Sequence, residues 1–296
     1  MKFKSGYVTI IGRPNVGKST LMNQIIGEKI AIMSDKPQTT RNKIQSIYTR
    51  QNCQIIFLDT PGLHKPKNKL GEFMVKSAQQ TLNEVDVILF VMDETADMGP
   101  GDTYILEMLK TVKTPVILVI NKIDKIGPEA FEKMYHLFDE KGIFKDIIGI
   151  SALQDKNIQK LIDKVVSYLP EGPQYFPGDM ITDQPERVIV SEIIREKLLH
   201  YLQDEIPHGV AVEVAFMKKR ENQDIVDINA TIYCEKKSHK GIIIGKGGRK
   251  LKGVGKSARE DIERLLGSKV FLELWVKIKE DWREQESTLS NLGYRL

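Results

Sequence analysis

Gly12-Arg13-Pro14-Asn15-Val16-Gly17-Lys18-Ser19 decides how this chain is read. It satisfies the pattern G-x-x-x-x-G-K-[ST], and its flanks suit it. Tyr7-Val8-Thr9-Ile10-Ile11 before it is an apolar run of strand length. After it, Leu21, Met22, Ile25 and Ile26 recur on one helical face. Strand, glycine loop and helix together are the setting of a phosphate-binding loop. Its two glycines let backbone N–H groups turn inward around a phosphate, and the helix N-terminus adds positive polarity. Lys18 is expected to reach the β- and γ-phosphates and the Ser19 hydroxyl to sit on Mg²⁺, with Thr20 just behind them.

Working outward, the first half repeats this strand-then-helix rhythm. Gln54-Ile55-Ile56-Phe57-Leu58, Val85-Asp86-Val87-Ile88-Leu89-Phe90-Val91, Val116-Ile117-Leu118-Val119-Ile120 and Ile147-Ile148-Gly149-Ile150 are Val/Ile-rich runs. Helical stretches, such as 103–110 and 129–141, fall between them. Such runs point to a parallel sheet covered on both faces, with ligands beyond the strands' carboxyl ends. The informative residues stand at those ends. Asp59-Thr60-Pro61-Gly62 offers a carboxylate for Mg²⁺, commonly through water, and a Gly62 N–H for the γ-phosphate. Asn121-Lys122-Ile123-Asp124 selects a base: the Asp124 carboxylate can accept from guanine N1–H and N2–H together, a donor pair that adenine lacks. Asn121 is expected at the N7/O6 edge, with the Lys122 stem over the ring. Ser151-Ala152-Leu153 allows the backbone to approach O6.

These motifs, in this order, resemble the translation-factor class of GTPases. The resemblance implies that Gln38-Thr39-Thr40-Arg41 is switch I, with Thr40 favoured over Thr39 as the residue closing on Mg²⁺. Leu63 stands where other GTPases place a water-orienting Gln, so hydrolysis must draw on backbone groups, an ion or a partner. Asn15 at its loop position implies a K⁺ held beside the β- and γ-phosphates. The catalytic set is therefore Lys18, Thr40, Asp59, Gly62 and Asn15. His64, among Lys65, Lys67 and Lys69, reads as a switch-loop residue rather than a base.

Composition sets the frame. The 296 residues suggest about two domains. No apolar run approaches the ~20 residues of a membrane span, and the start of the chain leaves no room for a signal peptide. Cys53 and Cys234 are expected to be reduced thiols in a cytoplasmic protein. The net charge of +4 is modest but unevenly placed. Residues 236–259 carry nine Lys/Arg (236, 237, 240, 246, 249, 250, 252, 256 and 259) and no Asp or Glu. Glycines and apolar residues interleave with them, which favours a nucleic-acid surface over a merely solvated face.

The second half begins after a linker-like Leu169-Pro170-Glu171-Gly172-Pro173. A helix is expected over 188–202, strands over 209–216 and 225–233, a helix over 254–266 and a third strand over 270–278. Gly245-Lys246-Gly247-Gly248 fits the G-x-x-G loop of KH domains, which clamps a nucleic-acid backbone. Ile244, Lys246, Arg249 and Lys252 join it as candidate RNA contacts, with the 242–244 face meeting bases. The fold class is thus α/β: a P-loop GTPase domain (1–173; mostly parallel sheet, helices on both faces), then an α+β type II KH domain (174–296).

Over essentially its whole length the chain resembles the Era family of bacterial ribosome-assembly GTPases. Ile181-Thr182-Asp183, residues 191–198 and Leu272-Glu273-Leu274-Trp275-Val276-Lys277 are similar to that family's signatures. The resemblance implies binding of the 3′ end of 16S ribosomal RNA, a role in 30S subunit assembly, and a cytoplasmic monomer with a peripheral membrane-associated fraction. A rival from another class is a GTP-gated docking module for a protein or membrane partner with little hydrolysis, which the absent Gln would suit. A small-molecule kinase is disfavoured by Asn121–Asp124.

Overall fold

The computed structural model describes residues 2–28, 31–32, 36, 41, 44–59, 68–95 and 98–294. Thr39, Thr40, Thr60, Pro61, Gly62, Leu63 and His64 lie outside the described residues. The chain divides into two compact units, with the main break between Asp183 and Gln184.

The first unit runs β1 (Lys4–Ile11), α1 (Lys18–Ile26), β2 (Ile44–Arg50), β3 (Cys53–Asp59), α2 (Lys69–Leu82), β4 (Val87–Met92) and α3 (Pro100–Leu109). It continues with β5 (Val116–Ile120), α4 (Pro128–Asp139), β6 (Asp146–Gly149) and α5 (Ile158–Tyr168). The sheet order is β2-β3-β1-β4-β5-β6. Every residue of β3, β4 and β5 is buried, as expected of strands covered on both sides. Alternate residues serve opposite cores. Ile55, Phe57 and Leu89 pack with α1 and α5 through Leu21, Met22, Leu161 and Val165. Ile56, Leu58, Ile88 and Phe90 pack with α2, α3 and α4 through Ala78, Ile105, Leu109 and Phe138. Only β2 runs antiparallel, to β3. A two-residue turn, Gln51-Asn52, joins them, and a connection that short cannot return a strand in parallel.

Residues 174–183 pack on this unit. The buried Gln54 holds them with its whole amide. Its Oε1 accepts from Tyr175 N–H (2.8 Å) and Phe176 N–H (2.9 Å), and its Nε2 donates to Phe176 O and Thr49 Oγ1 (both 2.9 Å). Ile47 N–H then donates to Ile181 O at 2.8 Å, and Thr182 Oγ1 to Gln45 O at 2.6 Å.

The second unit runs α6 (Glu186–Tyr201), β7 (Ala211–Lys219), β8 (Ile225–Cys234), α7 (Lys237–Ile244), α8 (Arg249–Leu266), β9 (Lys269–Ile278) and a short α9 (Glu286–Asn291). Through β9 this is the α-β-β-α-α-β order expected from the sequence. β8 lies between antiparallel β7 and parallel β9. One face of the sheet is covered by helices: Ile228, Ala230 and Ile232 pack with Ile193, Leu198, Ile243, Val254 and Ile262. Two glycines inside α8 would each cost about 1 kcal/mol relative to Ala, and packing accounts for one of them. A Cβ on Gly253 would lie 2.9 Å from the Tyr201 ring, so its absence lets α6 and α8 close together. Cys53 and Cys234 are buried free thiols, and burial pushes both up, keeping them protonated.

Candidate functional site

In the strand order the chain reverses direction of travel at β1, flanked by β3 and β4. This is the switch point at which open α/β sheets leave a crevice at their carboxyl ends. Gly12, Asp59, Asp93, Asn121 and Ser151 stand at or just past the ends of β1, β3, β4, β5 and β6.

The phosphate loop is built on special backbone. Gly12 has φ 152°, and a Cβ there would lie 2.3 Å from Val91 O. Gly17, the residue before α1, has φ 98°, and a Cβ on it would fall 2.2 Å from Asn121 Nδ2. Asn15 is left-handed without being glycine, at φ 69°. Val16 is buried, while Arg13, Pro14, Ser19 and Thr20 are partly exposed and Asn15 is open to solvent. Lys18 Nζ folds over the loop and donates to Gly12 O (2.9 Å) and Arg13 O (2.8 Å).

Burial pushes the Lys18 ammonium down to about 8, against the pull of Asp59 and then Asp102. A bound polyphosphate restores the charged form, so binding raises this pKa. Near pH 8, therefore, about half the free molecules must take up a proton when nucleotide binds, and affinity should fall as pH rises beyond 8. Calorimetry in two buffers of different ionisation enthalpy checks this. Zero uptake between pH 8 and 9 would show that Lys18 is charged throughout.

Asn121 is the hub of the site and is 2% exposed. Its Nδ2 donates to Val16 O at 2.8 Å, while its Oδ1 accepts from Lys122 N–H at 2.8 Å and Ala152 N–H at 3.0 Å. One side chain thus ties together the phosphate loop, the base-selecting loop and the Ser151-Ala152 loop. The expected contact with the base edge is left to the second Nδ2 hydrogen. Lys122 (φ 64°) crosses to the phosphate loop, where its Nζ donates to Asn15 O at 3.0 Å. Its stem is left as a wall for a base. Asp124 sits in a single 3₁₀ turn, Ile123–Lys125, and is exposed. Here it is solvated, and only a seated base would cover it. Ser151 is buried and its Oγ accepts from Gln154 N–H at 3.2 Å; Ala152 is buried, and Leu153 is 80% exposed.

Two carboxylates were missed in the sequence. Asp93 accepts from the Arg13 guanidinium and from Thr95 Oγ1 (2.6 Å), with Lys122 Nζ 3.7 Å away. Burial alone would raise the Asp93 carboxyl, but Thr95 and Arg13 outweigh it and hold it low. Asp102, 0% exposed, lies 3.5 Å from Arg13 Nε and accepts from Gly99 N–H at 3.2 Å. Burial pushes its carboxyl up against the opposing Arg13 charge. Arg13 therefore spends its side chain anchoring the loop and offers a nucleotide only its backbone. The same strand-end rule that found Asp59 and Asn121 would have found Asp93.

The donor set suits Mg²⁺. Ser19 brings a hydroxyl and Asp59, fully buried at the end of β3, a carboxylate. No cluster of three or more His, Cys, Asp or Glu that could hold a metal occurs among the described residues. A hard ion of this kind takes one or two protein ligands, waters and substrate phosphates rather than a protein cage.

In the second unit, Gly245-Lys246-Gly247-Gly248 links α7 to α8. All three glycines have positive φ (73°, 60° and 74°). A Cβ on Gly245 would lie 2.7 Å from Lys250 Cβ, whereas Gly247 and Gly248 face open space. Lys246, Gly247, Arg249 and Lys252 are exposed. Next to the loop is a groove of about 680 Å³. Lys252, Lys256 and Arg259 line it from one face of α8, and Leu251, Leu272 and Leu274 give it an apolar floor. The expected 242–244 face is corrected here: Ile243 is fully buried in the core, Ile244 is half-buried, and only Ile242 is open. The helical spacing of Lys252, Lys256 and Arg259 was the available signal.

Comparison with known proteins follows the same division. A family described as "50S ribosome-binding GTPase" matches residues 7–122, and the KH domain family matches residues 205–283. The GTPase Era of Alkaliphilus metalliredigens is 72% identical over 294 residues, covering 99% of this chain and 100% of that protein. That of Clostridioides difficile is 64% identical over 294 residues, covering 99% of each. Among solved structures, a point variant of Aquifex aeolicus Era bound to GDP·AlF4⁻ matches with TM-score 0.95 at 43% identity. So does Era in complex with MgGDPNP and nucleotides 1506–1542 of 16S ribosomal RNA. Each match covers 99% of this chain and 100% of the other.

Proposed function

The chain belongs to the Era family of GTPases, and from that premise we propose that it is a GTP-driven switch that binds the 3′ region of 16S ribosomal RNA during 30S subunit assembly. It hydrolyses GTP to GDP and phosphate. The observation that carries the reading is Asn121: one buried amide joins a phosphate loop to a guanine-selecting loop.

In this reading residues 1–173 hold the nucleotide. Lys18 turns from the loop carbonyls to the β- and γ-phosphates, and the loop N–H groups around Gly12–Ser19 follow it. Asp124 accepts from guanine N1–H and N2–H, Lys122 covers the ring, and Ser151, Ala152 and Leu153 border O6. Ser19, Asp59 and Thr40 hold Mg²⁺, which when bound neutralises charge across the β- and γ-oxygens. Thr60, Pro61 and Gly62 present backbone to the γ-phosphate. Water attacks phosphorus in line and GDP departs. Because Leu63 cannot polarise that water, backbone groups, an ion or a partner must assist the attack. Asn15, exposed at the crest of the loop with its carbonyl fixed by Lys122, is assigned to hold K⁺ there. Residues 174–296 bind single-stranded RNA across Gly245–Gly248 with Ile244, Lys246, Arg249 and Lys252. The protein works as a monomer in the cytoplasm, with a peripheral contact at the membrane. No helix among the described residues is long and apolar enough to cross one.

Multiple-turnover phosphate release in K⁺ and Na⁺ tests the catalytic half. K⁺ should accelerate hydrolysis by about tenfold, a ΔΔG‡ of about 1.4 kcal/mol, and Asn15→Ala should erase the difference. Equal rates in the two salts would place that assistance elsewhere.

A further inference from the structure

The groove uses only half of Leu272-Glu273-Leu274-Trp275-Val276-Lys277. Leu272 and Leu274 face it, while Glu273 and Trp275 face the other side of the sheet, away from the helices that pack on the first. Register aligns that outer face in rows. Lys218, Asp227 and Phe271 form one, Phe216, Asn229 and Glu273 the next, then Glu213, Thr231 and Trp275. Phe216, Phe271 and Trp275 are 51%, 52% and 56% exposed. Among the described residues of the second unit they are the most exposed large hydrophobics, and all three stand on this one face. Exposed aromatics on a strand need no explanation singly; three on adjacent strands do.

The polar groups around the rings bear on what would cover them. Asp227 is already neutralised by Arg220, whose Nη2 and Nε donate to it at 2.7 and 2.8 Å, and Glu213 accepts from Tyr233 OH at 2.7 Å. The Arg220 guanidinium lies 5.8 Å from the centre of the Phe271 ring. Lys218 and Lys277 are exposed and make no ion pair among the described residues. Glu273, exposed in the middle row, accepts from Asn229 Nδ2 at 3.4 Å, so among the described residues Glu213 and Glu273 have no cationic partner just as Lys218 and Lys277 have no anionic one, and the free cations stand at the two ends of the face. Asn229 and the buried Thr231 separate the rings, so the face lacks the continuous apolar centre of a protein interface. Flat rings spaced by polar groups, with an unpaired cation at either end, suit stacked bases and phosphates. β9 is an edge strand, so a chain leaving the groove can pass round it onto the outer face.

We propose that this outer face is a second RNA surface, on which Trp275, Phe271 and Phe216 stack bases of single-stranded RNA beyond those held at the groove. The proposal rests on the reading of this unit as RNA-binding. The test uses the full chain with single-stranded RNA of about five and about fifteen nucleotides, the shorter just exceeding the four that a G-x-x-G loop clamps. Trp275→Ala should leave the short RNA unaffected and weaken the long one by about tenfold or more, with an unchanged salt slope, because stacking releases no counterions. Trp275→Phe should restore binding. Lys277→Ala should instead flatten the salt slope by about 0.7. The chain has two tryptophans, and Trp282 is fully buried, so long RNA should quench only the Trp275 emission. Equal affinity of wild type and Trp275→Ala for the long RNA would overturn the proposal. So would intact RNA binding with lost retention on 30S subunits, which would assign the face to a protein. If instead Gly247→Asp leaves the short RNA bound, it is the groove reading that fails.

Discussion

Asp124→Asn should lower GTP affinity by at least about a hundredfold and raise affinity for xanthosine triphosphate. Two charge-assisted hydrogen bonds to one base are worth about 1.5–3 kcal/mol each. An amide in place of the carboxylate keeps one acceptor and turns the other into a donor facing a donor. Xanthine carries a C2 carbonyl there and welcomes it. Because Asp124 is exposed in a short 3₁₀ turn, the exchange should leave the fold intact. It also caps the effect: a carboxylate that water can reach is not stranded when the wrong base sits beside it. Competition binding with the two triphosphates reads the switch, and unchanged GTP affinity would refute the assignment of this loop to the base.

Gly247→Asp should abolish detectable binding of single-stranded 16S RNA, a loss of about a hundredfold or more, while GTP affinity stays within twofold of wild type. The backbone at Gly247 has φ 60° and its Cβ direction is open, so Asp, which tolerates left-handed backbone, can be accommodated. What it brings is a carboxylate where a phosphate must come close. Gly247→Asn has the same shape without the charge and should lose less, separating repulsion from bulk. Lys246→Ala and Arg249→Ala should weaken binding mildly, each flattening the log–log salt dependence by about 0.7. A duplex of the same sequence should bind worse, since side chains cannot enter the narrow A-form major groove. Wild-type affinity in Gly247→Asp would leave 236–259 as a solvated basic face.

What the sequence disclosed, and what it hid, follows one physical line. Asp59 and the Asn121–Asp124 loop were legible because each closes a strand whose apolar run is visible locally. Asp93 closes a strand in the same way, yet its meaning depends on Arg13, 80 positions away. The parallel direction of most strands was legible from the Val/Ile runs, and the two-residue turn before β3 accounts for the antiparallel β2. Residues 174–183 were counted with the second domain because their anchor to the first unit is the amide of Gln54, a long-range polar contact that no periodicity reports. In the second unit the glycine loop was plain, but a run of three isoleucines hides helical phase. Ile243 turned to the core, and the groove floor fell to Leu251, Leu272 and Leu274.

The Asn121 amide bears on how such a protein lets go. Its three partners belong to three loops, and each bond helps hold the other two in register. Loosening any one loop therefore lowers the barrier to opening all of them. An exchange factor for this chain would not have to grip the nucleotide, nor displace the ion. Levering the Ser151-Ala152 turn by a few ångströms would withdraw the Ala152 N–H, free the amide, and slacken the phosphate loop from behind. The contacts to the base and those to the phosphates would then be lost together.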